Sequence, residues 1–356
     1  MKTSNKLVKA LKIFIIVLIV GFLAISPFYA YWNSAPAEQT CAVCHEISNS
    51  VHVLANSAHR ELLCKECHGT ALSNGVHSIK EKSMMFVNHI RGINTDNIIM
   101  GESQILEVMN NCRRCHSSEY AKWESGGHSA TYGYILLDSI QNSNELLNYD
   151  CLRCHGMYFE GTVADLVEPI SMDGPWQLVN ANRNDLPTIP CMACHMIHTD
   201  GDLTSSILTE NYYWDSLRTI PLHSPGLSFY VRSEKENYTV DLLPAYNIYD
   251  DSLMVVVSDD PIMRNCIQCH APNSRHEAGT GDDRTPRGVH EGLSCTVCHE
   301  PHSNNAQNSC IKCHPAISNC QIDVTQMNTT YKYKDSPNNI HFVSCNDCHE
   351  NGRGVK

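Results

Sequence analysis

The chain has 356 residues, 19 cysteines, 20 histidines and a formal net charge of −12 with the histidines neutral. That acidic balance argues against nucleic acid and favours a partner protein with a basic patch, although it also serves simple solubility. Length alone allows two or three domains.

The first 32 residues stand apart. Lys2, Lys6, Lys9 and Lys12 precede an apolar run from Ile13 to Ile25, followed by Phe28, Tyr29, Tyr31 and Trp32. Positive charge holds that end in the cytoplasm and sends the rest outward. The export compartment permits thiol oxidation. Two readings stay open. The apolar run suits a signal peptide with a small-residue site at Ala35-Pro36-Ala37. Counted through Trp32, it is also long enough to span a membrane and ends in an aromatic belt. Retention as a single-pass anchor, with the rest on the periplasmic side, is the expectation; a soluble periplasmic protein is the alternative.

Eighteen cysteines fall into nine copies of Cys-x-x-Cys-His. In chain order they are Cys41, Cys44 and His45; Cys64, Cys67 and His68; Cys112, Cys115 and His116; Cys151, Cys154 and His155; Cys191, Cys194 and His195; Cys266, Cys269 and His270; Cys295, Cys298 and His299; Cys310, Cys313 and His314; and Cys345, Cys348 and His349. Thiols three apart share one side of a helical turn. They can add to the two vinyl groups of one porphyrin edge, and the following histidine reaches the iron. Zinc needs no histidine after every second cysteine. A disulfide framework does not repeat one short spacing nine times. Nine covalent haem c groups are therefore expected. Cys320 is left over and reads as a buried or inert thiol.

Eleven histidines remain: His52, His59, His77, His89, His128, His198, His223, His276, His290, His302 and His341. Nine irons with histidine on both faces need nine of them. His198 and His302 each follow a motif histidine by three residues and would reach a neighbouring haem. His290 and His341 lie shortly before the next motif. With His59, His89, His128 and His276 these are the expected second axial ligands; His52, His77 and His223 are the weakest. Met84, Met85 and Met196 are alternative ligands by proximity.

The first cysteines of successive motifs are 23, 48, 39, 40, 75, 29, 15 and 35 residues apart. Such gaps exclude a strict repeat array. They suggest an anchor or signal at 1–32, a dihaem segment at 33–105, a trihaem segment at 106–205, a haem-free insert at 206–265 and a tetrahaem segment at 266–356. Helices are expected at Ser103–Met109, Glu119–Glu124 and His128–Leu137, with Gly126-Gly127 breaking the second from the third. Between Leu227 and Val257 the insert has strand-like runs rich in β-branched and aromatic residues, which predict a small antiparallel element that shields neighbouring haems or docks a partner. Gly279–Gly288 reads as a loop. The expected class is mostly α with long loops: a haem-packed multihaem cytochrome c with one N-terminal transmembrane helix.

Three stretches carry family likenesses. The single span, Asn56-Ser57-Ala58-His59 and Cys64-Lys65-Glu66-Cys67-His68-Gly69 resemble the NapC/NirT/NrfH membrane-anchored quinol dehydrogenases. That likeness implies electrons drawn from membrane quinol and passed to periplasmic reductases. Many members carry a methionine two places after the first motif's histidine; Ile47 stands there in this chain. Cys112–His116 with Glu119, Tyr120, Trp123 and His128 is similar to the multihaem cytochromes related to hydroxylamine oxidoreductase, which implies His128 as an axial ligand. Cys295–His302 resembles the motif-plus-histidine arrangement of periplasmic electron conduits.

The function expected is electron relay between the membrane, with quinol or a membrane complex as donor, and periplasmic or outer-membrane redox proteins. The alternative is an oxidoreductase acting on a small nitrogen or sulfur compound at one open haem, with Arg183, Tyr212, His223 or Tyr230 lining the pocket. A subunit of a larger complex is a third possibility.

Overall fold

A computed structural model describes residues 2–43, 47–69, 75–92, 99–138, 142, 147–169, 176–198, 226–244, 247–250, 252–271, 284–303, 306, 309–314 and 339–343. Cys44, His45, Tyr212, His223, His276, Cys320, Cys345, Cys348, His349 and the first half of the expected 279–288 loop lie outside them, as does the side chain of His77. The described residues form mostly short helices and single helical turns, with small two-stranded sheets. The chain divides into two units: Met1–Ala55 with His59–Ile98, and Asn56–Ala58 with Ile99–Lys356.

In the first unit the N-terminal helix runs from Lys2 to Ser34 and contains Pro27. It is apolar enough, from Lys6 to Ser34, to cross a membrane or to act as a signal sequence. The apolar run thus continues helically through Pro27 and ends two residues beyond Trp32. Proline is tolerated inside such helices. Pro36 then ends helical hydrogen bonding, because it has no N–H to offer the Trp32 carbonyl. The chain turns at Ala37–Gln39 and enters the first motif at Cys41. Helices Ser48–Ala55, Cys64–His68 and Gly75–Ile90 follow.

In the second unit the expected helices over Ser103–Met109 and Glu119–Glu124 form as Glu102–Cys112 and Ser117–Ser125. The expected His128–Leu137 helix is broken. Gly127–Ser129 makes one tight turn, Ala130 is extended, and Thr131 caps a separate helix, Tyr132–Leu136, by accepting from the Tyr134 N–H. The break lets the backbone bond elsewhere: Ala130 O accepts from the Thr188 N–H at 3.0 Å, and Tyr132 N–H donates to Leu186 O at 3.0 Å.

The insert's antiparallel element is two hairpins. Strands β1 (Val167–Glu168) and β2 (Gln177–Leu178) pair earlier in the chain; β3 (Ser228–Val231) pairs with β4 (Glu236–Thr239), and β5 (Ile248–Asp250) with β6 (Leu253–Val255). Phe229 and Tyr230 of β3 are buried. Among the described residues two small apolar clusters serve this unit: Tyr132, Leu136, Leu152, Phe159, Leu166, Val167 and Trp176, and Ile248, Val255, Met263, Ile267 and Ala271. Cys295 packs against the second cluster. Cysteine thus extends the apolar contacts, as expected where a haem is to complete the core.

Candidate metal centres

Each fully described motif folds as one helical turn. In the motifs beginning at Cys112, Cys151, Cys191, Cys295 and Cys310, the histidine N–H donates to the first cysteine's carbonyl at 2.8–3.0 Å. Cys64–His68 is a short helix, and Cys266, Cys269 and His270 end the helix Pro261–His270. Asp260 starts that last helix by accepting from the Ile262 N–H, and Pro261 fits its first turn. This turn brings two thiols and an imidazole to one side, the geometry that attachment to one porphyrin requires. No disulfide joins any of the described cysteines.

Histidines from different motifs face one another. The His195 and His302 ring centroids are 6.1 Å apart with planes 17° apart; His299 and His341 are 5.9 Å and 5° apart; His128 and His270 are 6.1 Å and 42° apart. Rings in van der Waals stacking would lie much closer. Two metal–imidazole bonds of about 2 Å on opposite sides of one ion separate ring centres by roughly 6 Å. Each pair joins one motif histidine to one outside the motifs. Each pair therefore has the span of an iron between two imidazoles, and these residues fit the group.

Ring nitrogens of these histidines and of His290 are held too. His128 bonds to the Pro301 carbonyl, His195 to the Gly226 carbonyl and His290 to the Ile340 carbonyl. His341 Nδ1 lies 2.9 Å from Asn339 Oδ1, and His302 Nδ1 lies 3.4 Å from Glu300 Oε1. Such outer partners fix ring orientation and tautomer in metal-binding histidines. Burial pushes His128 down to about 4, with His270 opposite adding to the effect. Burial also pushes His195 down to about 4, helped by His302 and then His116. Both are neutral at pH 7, the form that binds metal. His290 is lowered by burial, with His314 nearby contributing.

The tails that carry these histidines interlock. A Cβ on Gly126 would stand 2.6 Å from the Ser303 carbonyl oxygen, so the chain after the third motif lies directly on the chain after the seventh. Lys122 and Glu300 pair across the same contact at 3.4 Å. Burial raises the Glu300 carboxyl, but the Ser303 N–H and hydroxyl, then Lys122 and His302, bring it down to about 2. Trp123 Nε1–H donates to Ile189 O at 3.1 Å, just before the fifth motif. The β3 strand clasps that motif: Ser228 N–H donates to Cys194 O at 2.9 Å, and Met196 N–H to Gly226 O at 3.0 Å. The insert thus packs on the fifth motif.

Cysteines of different motifs also meet. Cys41 is hydrogen-bonded to Cys64, Cys154 to Cys269 and Cys266 to Cys295, contacts that raise Cys64, Cys269 and Cys266. Arg153, inside the fourth motif, donates to the Gln268 carbonyl inside the sixth at 2.8 Å.

Other expected residues fall elsewhere. His52 and His89 are exposed on their helices, and so are Met84 and Met85. His59 lies just ahead of the second motif and His198 just behind the fifth. Arg183 is engaged apart from Tyr230. It pairs with buried Glu102, which also accepts from the Tyr132 hydroxyl at 2.5 Å, and its guanidinium lies 4.5 Å over the Phe159 ring. Tyr230 stacks on Tyr158 at 3.9 Å beside a cavity of about 230 Å³ whose lining does not include Arg183. Sequence reading did not find Gly226, Glu300, Pro301 and Asn339 as outer partners. Their only signal is position near a histidine, and two of them, Gly226 and Pro301, act through the backbone on a histidine of another segment.

Residues 111–196 and 235–300 match the family model described as cytochrome c554 and c-prime. The matched residues contain the third to seventh motifs and His128. No curated protein and no solved structure matches the chain. This match supports a c-type cytochrome, a class whose Cys-x-x-Cys-His motifs hold haem covalently.

Proposed function

We propose that this cytochrome carries nine haems c and relays electrons from a membrane donor, quinol or a membrane complex, to periplasmic or outer-membrane redox proteins. The observation that carries this reading is the set of three histidine pairs with ring centroids 5.9–6.1 Å apart. On this reading His302 is the second ligand for the fifth motif, His128 for the sixth and His341 for the seventh, and His290, beside His314, serves the eighth. An iron held on both faces changes oxidation state and leaves no position for substrate.

The chain's own part is to orient these rings through Pro301, Gly226, Glu300 and Asn339, to hold them neutral by burial, and to keep the motifs in contact. Contacts such as Cys154 with Cys269 and Cys266 with Cys295 favour short steps between neighbouring centres. The N-terminal helix, read as a retained anchor, supplies the membrane end.

Low-temperature electron paramagnetic resonance of the oxidised protein, with a haem count by pyridine haemochrome, tests this. Low-spin signals alone and nine haems per chain are expected. One equivalent of high-spin haem that binds nitrite or hydroxylamine would replace the relay with an oxidoreductase.

A further inference from the structure

We infer that Lys65, inside the second motif, is a positioning residue that clamps the second haem turn to the outer end of the N-terminal helix. This inference rests on the helix being kept as an anchor.

The argument starts from an orphaned carbonyl. In a continuing helix Trp32 O would accept from the N–H four residues on, but that residue is Pro36, which has none. The Lys65 ammonium takes the place of the missing donor. It donates to Trp32 O and, at 3.3 Å, to Ala35 O, and lies 5.5 Å over the Trp32 ring. Lys65 and Ala35 are both buried. A cation at a helix C-terminus is also favoured by the helix dipole. Cys64, the neighbour of Lys65, bonds to Cys41, so the first motif is drawn to the same end. Cleavage before Glu38 would remove both acceptors and the Trp32 ring with them. The clamp therefore belongs to an uncleaved chain and holds the first two haem turns at the membrane surface.

The test uses the full haem-loaded protein in membranes. Mass spectrometry of the mature chain comes first. A chain beginning at Glu38 overturns the anchor and the clamp together. If the helix is retained, Lys65→Met is compared with Lys65→Arg. We expect Lys65→Met to speed proteolysis between Ala35 and Thr40 by about tenfold or more, since cutting follows the population of the opened form. The orientation of the second haem in layered bilayers, read by paramagnetic resonance, should also broaden. Lys65→Arg should restore both. Unchanged proteolysis and orientation in Lys65→Met, with the helix retained, would overturn the clamp alone. Trp32→Leu, which leaves the haem motif intact, should give a smaller shift in the same direction; no shift in it and failure of Lys65→Arg to rescue would also overturn the clamp.

Discussion

His195 and His302 face each other across 6.1 Å with nearly parallel planes, yet His302 belongs to the tail of the seventh motif and not the fifth. The same crossing recurs. His128 follows the third motif and faces the sixth; His341 precedes the ninth and faces the seventh.

His302→Ala should therefore open the haem of the fifth motif and no other. One equivalent of high-spin signal is expected, with the remaining haems low-spin. Cyanide or nitric oxide should bind it. His302→Met should keep that haem closed and raise its potential, because methionine ligation does so. A high-spin signal assigned to the seventh motif would contradict the pairing.

Gly126→Ala should loosen the contact between the two tails. Its methyl would meet the Ser303 backbone at 2.6 Å, and backbone cannot step aside as a flexible side chain can. A loss of about 1–3 kcal/mol is expected from such overpacking. Glu300→Gln acts at the same contact, but the pair is partly exposed, so about 0.2–1 kcal/mol is expected. Urea unfolding followed by Soret absorbance would rank the two.

Glu102 gives a second ranking. Arg183→Met leaves a buried carboxylate without its counter-charge and should cost about 3–5 kcal/mol. Tyr132→Phe removes one hydrogen bond while the ion pair stays, and should cost about 1–3 kcal/mol. Thermal melts of the haem-loaded variants would show the order; equal losses would mean that Arg183 does not neutralise Glu102.

Haem removal is the harshest change. The described apolar clusters are small, and the motif cysteine Cys295 packs against one of them. A chain produced without haem attachment should lose fixed near-ultraviolet dichroism and be degraded quickly, because the binding that would order its ligands is part of its folding energy.

Much of this was legible from residue order. The motif turns needed only local spacing, Glu102–Cys112 needed only local propensity, and Ser117–Ser125 needed that and the Gly126-Gly127 pair that follows it. The histidine pairings were not legible. Which imidazole faces which depends on Gly126 meeting Ser303 and on β3 meeting the fifth motif, contacts between distant segments. The break at Ala130 was hidden for the same reason: its carbonyl is claimed by Thr188, and no nearby residue announces that. Lys65 looked like an ordinary spacer between two cysteines, because the acceptor it serves is orphaned by a proline in another element.

The crossing of the tails sets a timetable for a chain that emerges from its N-terminus. The sixth haem meets a ligand made long before it, since His128 is already outside. The fifth and seventh must wait for His302 and His341. Until those arrive, each has one coordination face open to oxygen and small ligands. On the proposed pairing the stretch from His302 to His341 would act as a latch, and a chain cut before it would leave the fifth and seventh haems open.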